Sequence, residues 1–157
     1  YDLRAIKRPA AMFRKLAEKG EDTKPLAEEI SSYLMFSTDR RFETETDPEG
    51  KAWAETSRGG AILQKSGRLR RSITPKATRD EARIGTNMIY ARIHNEGGTI
   101  VPKNAKALAF MVGGGFVMTK QVKIPKSQYM VINDDDQREI LQIAEDYFVD
   151  VMKEHSK

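Results

Sequence analysis

At 157 residues with no cysteine, the chain fits one domain that can bury a core, and it lacks a disulfide framework, a thiol nucleophile and any cysteine-ligated metal. Charged residues reach 32% against 39% hydrophobic, so a thin core is expected, with part of the chain left as arms, loops or a surface that meets partners. The net charge of +4 favours polyanions without requiring one, and the longest apolar run, 107–118, is interrupted by glycines and falls short of the ~20 residues that span a bilayer.

Leu3, Ile6, Ala10, Phe13 and Leu16 keep a three-to-four spacing, which predicts an amphipathic helix. Pro9 restricts that helix to about 9–18, closed by Gly20, and leaves residues 1–8 as an extended arm. The N-terminus has no apolar core or cleavage site of a signal peptide, so assembly in the cytoplasm is expected. A second helix opens at Pro25, where the missing N–H is harmless, and runs to about 41 or 42 with Leu26, Ile30, Tyr33 and Leu34 on one stripe. Pro48 and Gly50 mark a turn, and Trp53 beyond it reads as a residue covering the base of a helix.

The stretch 63–73, L-Q-K-S-G-R-L-R-R-S-I, combines a glycine turn, the apolar anchors Leu69 and Ile73, and Arg68, Arg70 and Arg71. Taken as a strand, it places Arg68, Arg70 and Ser72 on one face and Leu69, Arg71 and Ile73 on the other, a basic edge beside an apolar one. Alternation then predicts strands at 72–74 and 82–86, joined through T-R-D-E. Residues 90–95 read as one helical turn ended by Gly97 and Gly98. Strands are expected at 99–101, 107–112 and 116–124, the last two forming a long β-hairpin with a flexible tip at Gly113, Gly114 and Gly115. Residues 134–154 are the clearest helix. Asp134, Asp135 and Asp136 sit at its positive end, Lys153 and His155 at its negative end, and Ile140, Ile143, Ala144, Tyr147, Phe148 and Val151 form its apolar stripe. The order predicts an α+β fold: a mostly antiparallel sheet with a long hairpin, packed by two N-terminal helices and one C-terminal helix, as a single domain over 1–157.

Chemistry is poorly provided for. His94 and His155, the only histidines, lie in different elements, and H-N-E-G lacks the second histidine of a zinc peptidase helix. The glycines at 97–98 and 113–115 lack phosphate-loop spacing, and dipole compensation accounts for the three aspartates without a cation. No catalytic, cofactor or metal residue is therefore expected. Arg68, Arg70, Arg71 and Lys76, with Lys65 and Arg79 nearby, form the one cluster suited to DNA phosphates or to a neighbouring subunit. No interleaved aromatics accompany it to stack bases.

Phe42, Asp47-Pro48-x-Gly50-x-x-Trp53, Leu63-x-x-Ser66-Gly67-x-Leu69-x-x-Ser72-Ile73, Ile84-Gly85-Thr86-Asn87, Tyr90-Ala91 and His94 to Gly98 together resemble the phage virion morphogenesis (tail completion) family of tailed bacteriophages, over roughly residues 24–150. The resemblance implies a non-enzymatic part of the virion tail or neck that finishes the head-proximal end of the tail, so that a DNA-filled head can be joined. It implies a homo-oligomeric ring, hexameric like a tail tube, that meets tail-tube and neck proteins, in which Arg68, Arg70 and Arg71 either line a channel for packaged DNA or pair with acidic neighbours. Family members usually carry I-P-[AS]-R-P-[FY] before the last helix, whereas this chain has Ile124-Pro125-Lys126-Ser127-Gln128-Tyr129, which puts a conserved contact there in doubt. Edge pairing of strands would supply the subunit contacts, with the hairpin and N-terminal arm ordering against neighbours. The alternatives are another neck component, for head completion or tail termination, and a non-specific DNA-binding protein; the latter is weakened by the lack of a recognition helix with a basic face.

Overall fold

A computed structural model describes residues 1–4, 14–16, 18, 20–55 and 59–154. Most of the helix expected at 9–18 lies outside these residues; 14–16 and 18 are helical, and Leu16 is fully buried. Helix α1 (Lys24–Thr44) has Pro25 in its first turn and ends at Glu45, which adopts φ 53°. Leu26, Ile30 and Leu34 recur every fourth residue and are buried with Phe42. Thr38 and Arg41, polar residues on the same helix, are buried as well.

After α1 the chain reverses through the Asp47 turn. The Asp47 carboxylate accepts hydrogen bonds from the N–H groups of Glu49 (3.1 Å) and Lys51 (2.8 Å). Gly50 takes φ 80°, a value glycine adopts without steric cost. The reversal pairs Thr46 with Ala52 and delivers Trp53 onto Phe42, ring centroids 5.6 Å apart and nearly perpendicular. Trp53 is buried, as its position after the turn predicts.

Residues 68–72 are not a strand but a short helix, α2 (Arg68–Ser72), launched from Gly67 at φ 64°. A strand would carry Arg71 into the core between Leu69 and Ile73. One helical turn buries both apolar residues and leaves Arg71 exposed.

Strand β1 (Asp2–Arg4), β2 (Thr74–Ala77) and β3 (Ala82–Gly85) form an antiparallel sheet in the order β1-β3-β2. The β2–β3 turn closes through Thr78 N–H to the Glu81 carbonyl at 2.8 Å, where T-R-D-E was expected to turn. Residues 2–4, expected within a free arm, are instead the edge of this sheet, with Leu3 opposite Ile84.

Helix α3 (Ala91–Glu96) follows, then β4 (Gly98–Ile100), β5 (Leu108–Val112), β6 (Gly115–Thr119), β7 (Val122–Ile124) and α4 (Asp134–Glu154). The stretch 116–124 is two strands, because Thr119 Oγ1 donates to the Gln121 carbonyl and accepts from its N–H, turning the chain. β5 and β6 pair with each other as a hairpin, while β7 pairs with β4. The fold class is α+β, but the strands fall into three small antiparallel sheets among the described residues rather than one. α1 packs against β2, β3 and α4, and Ile84, Ile140 and Ala144 close the core around it.

Candidate assembly interface

The basic cluster splits in two. Arg70 Nε and Nη2 clamp both carboxylate oxygens of Asp39 at 2.5 and 2.6 Å, and Nη2 also reaches Glu43 at 3.1 Å. Asp39 and Glu43 lie one turn apart on α1, so Arg70 fastens α2 to that helix. The hydrogen bond from Arg70 in turn holds the Asp39 carboxyl below its usual range. Arg71 curls back to donate to the Ser66 carbonyl at 2.7 Å, passing so close to Gly67 that a Cβ there would stand 2.5 Å from its Nη1. Arg68 and Lys76 are exposed, and neither has an acidic partner among the described residues.

A buried ion pair escaped the sequence reading. Arg41, 7% exposed, meets Asp136, 2% exposed, with Nη2 2.5 Å from Oδ2. Arg41 Nη1 donates to the carbonyls of Val131 (2.7 Å) and Tyr129 (3.2 Å). Asp136 Oδ1 accepts from Ser37 (2.6 Å) and Tyr33 (3.0 Å). Asn133 and Asp136 cap α4 reciprocally: the Asp136 N–H donates to Asn133 Oδ1, and the Asn133 N–H donates to Asp136 Oδ2. Burial alone would raise the Asp136 carboxyl, but the bonds from Ser37 and Asn133 and the charge of Arg41 outweigh it and hold it low. Burial and the neighbouring Asp136 push the Tyr33 phenol up to about 12. Dipole compensation thus describes the exposed Asp134 and Asp135, while Asp136 joins α4 to α1. The available signal was N-x-x-D before a helix, together with an arginine on an apolar stripe.

The motif residues behave as framework. Asn95 Oδ1 accepts the N–H groups of Tyr129 (3.0 Å) and Met130 (2.7 Å), and its Nδ2 donates to the Met130 carbonyl and the Tyr1 hydroxyl. Buried Tyr129 donates to the Ala91 carbonyl at 2.6 Å. Gly97, at φ 73°, lets the Lys126 backbone approach within 3.0 Å of where a Cβ would stand. The segment before α4 therefore keeps an anchored aromatic at 129 despite departing from the family pattern. The Pro48 carbonyl accepts from Asn133 Nδ2 (3.1 Å), tying the turn of Pro48 and Gly50 to the start of α4. The Ser72 and Thr86 hydroxyls meet at 2.6 Å. Tyr90 is partly exposed and sets its ring edge-on to His94. Burial pushes the His94 imidazole below its ordinary value.

What remains outward is the β5–β6 hairpin. Its register sets Ala109 opposite Met118 and Met111 opposite Phe116, so these four share one face. Met111, Phe116 and Met118 are 66%, 67% and 66% exposed, and no charged residue lies between 107 and 119. β5 and β6 pair only with each other among the described residues, which leaves the outer edge of each open. Ile89, in the turn before α3, is exposed too. Among the described residues no group of three or more His, Asp or Glu could hold a metal, and no helix is long and apolar enough to cross a membrane.

The pattern of the phage virion morphogenesis family matches residues 4–149. The chain belongs to that family. Its role is in phage virion assembly, and it is a virion-associated protein. It is 39% identical over 83 residues to the putative capsid assembly protein G of Escherichia phage Mu, an alignment covering 45% of this chain and 53% of that protein. The match thus spans about half the length of the phage Mu protein. It is 29% identical over 135 residues to the Mu-like prophage FluMu G protein 2 of Haemophilus influenzae, covering 85% of this chain and 84% of that protein. No solved structure matches the chain significantly.

Proposed function

We infer that this family member is a structural part that completes the head-proximal end of a phage tail as a closed, hexameric ring of single-domain subunits, readying the tail for joining to a head. The observation that supports the reading is the apolar face of the β5–β6 hairpin, exposed at Met111, Phe116 and Met118. Burying one such side chain is worth about 1.5–3 kcal/mol, so a face repeated on every subunit can drive association. A heterologous contact, hairpin of one copy on a different surface of the next, closes into a ring when the rotation allows. The open edges of β5 and β6 add backbone hydrogen bonds to the same contact. Tail-tube and neck proteins are the expected neighbours, and the protein acts by contact rather than by catalysis.

The test is the mass of the purified protein, alone and with tail tubes, combined with electron micrographs of particles assembled without it. A six-subunit species bound at tube ends and a pile-up of unjoined heads and tails are expected. Normally joined particles in its absence overturn the reading. A head-side position is the competing reading, favoured by the capsid-assembly name of the phage Mu relative. Cross-links to portal-side proteins instead of tube protein would select it.

A further inference from the structure

We propose that the groove between α1 and the start of α4 is the socket for the β5–β6 hairpin of a neighbouring copy, with Phe36 as its apolar anchor and Glu139 facing the lysines at the hairpin base. The inference rests on the ring reading above and names the second surface of that contact. The groove has a volume of about 460 Å³, within the roughly 300–1,000 Å³ of clefts that enclose a ligand. Phe36 stands on its wall, 64% exposed, although Leu34 and Thr38 two positions either side of it on α1 are buried. Asp47, Asp135, Asp136 and Glu139 line it against Arg40 and Arg41. The Arg41–Asp136 pair neutralises itself, Asp47 is bonded within its own turn, and Asp135 pairs with Arg138. Glu139 is exposed and has no cationic partner among the described residues. Helix α4 as a whole carries eight carboxylates against two cations.

Residues 97–133 carry the opposite imbalance: Lys103, Lys106, Lys120, Lys123 and Lys126, all exposed, and no aspartate or glutamate. Lys106 lies just before β5 and Lys120 just after β6, so both stand at the base of the hairpin, where the register sets Leu108 opposite Thr119. Nucleic acid would meet these lysines but leave Met111, Phe116 and Met118 in water. An anionic lipid surface would cover the hairpin but leave Phe36 and the acidic groove unused. A second copy sets apolar residues on Phe36 and lysine against carboxylate in one contact, so it accounts for both surfaces. Hairpin and groove are different surfaces, which makes the contact heterologous, and each copy passes the pairing on to the next.

Phe36→Ser/Glu139→Gln alters two exposed side chains, so it is expected to keep the parent's urea midpoint at a concentration where the parent is monomeric. In sedimentation velocity it is expected to weaken self-association by at least about 30-fold, the effect of removing one central aromatic anchor. Parent-like association of this variant, with Met111→Ser/Phe116→Ser/Met118→Thr monomeric, overturns the socket and leaves the hairpin contact standing. Parent-like association of both variants overturns the ring reading as well. The chain has no cysteine, so introduced thiols report the pairing directly. Oxidised Arg40→Cys/Met118→Cys is expected to give a ladder of disulfide-linked chains, whereas Lys76→Cys/Met118→Cys, with its second thiol on β2, is expected to give single chains. Equal ladders in the two, or pelleting of the parent with phosphatidylglycerol vesicles in place of self-association, would each overturn the proposal.

Discussion

Arg41 and Asp136 carry their charges in a site where an isolated ion would be heavily penalised, and they persist because every oxygen and two guanidinium nitrogens have partners. Removing one partner is therefore worse than removing both. Asp136→Asn should destabilise the fold by about 3–5 kcal/mol in urea titration, whereas Arg41→Met/Asp136→Leu should lie closer to the parent than either single change. The pH response follows from the lowered carboxyl: between the folded and unfolded values the unfolded chain binds more protons, so stability falls on acidification. The contribution is full above the ordinary value of 3.8 and is lost as pH drops through the lower folded value, a dependence that Asp136→Asn should flatten. Asn95 makes the second residue-scale prediction. Asn95→Ala orphans the buried N–H groups of Tyr129 and Met130 and should cost at least about 2 kcal/mol by thermal melting.

At the scale of elements, α2 and the hairpin answer different demands. The helix exists because Gly67 supplies a positive φ and because Arg70 and Arg71 find oxygens on α1 and at Ser66. Gly67→Ala should cost about 1 kcal/mol through that backbone angle, read as a lower melting midpoint. In the hairpin, Met111→Ser/Phe116→Ser/Met118→Thr alters side chains that already face solvent, so each change should shift monomer stability by no more than about 0.5 kcal/mol. The same variant should abolish self-association in sedimentation velocity. Retention of full assembly would remove the hairpin from the interface.

For the whole molecule, assembly and stability are linked, because any contact made only by folded copies raises the melting midpoint with protein concentration. The parent protein should show that dependence, and the hairpin variant should melt at one temperature across the same range. The fold beneath this surface is held by a small core around α1, with Leu26, Ile30, Leu34 and Ile84 fully or almost fully buried. Helices α1 and α4, the T-R-D-E turn and the buried position of Trp53 were legible because periodicity, turn chemistry and burial are local properties of the chain. The family was legible for the same reason, since its motifs are ordered short patterns and most of them serve the frame.

Tertiary structure decided the rest. Whether 68–72 was helix or strand depended on which choice kept Arg71 out of the core, and whether Arg70 was available to a partner depended on the carboxylates that α1 brought to it. The roles of Asp136 and Asn95 depended on segments roughly 95 and 35 positions away in sequence, where no local pattern reaches. Sequence by itself settled the long helices, the charge and the family, because those follow from near neighbours along the chain. The exposure of Arg68 and Lys76 and of the apolar hairpin face emerged only when folding had placed the other side chains, since a group's exposure is set by what is packed beside it.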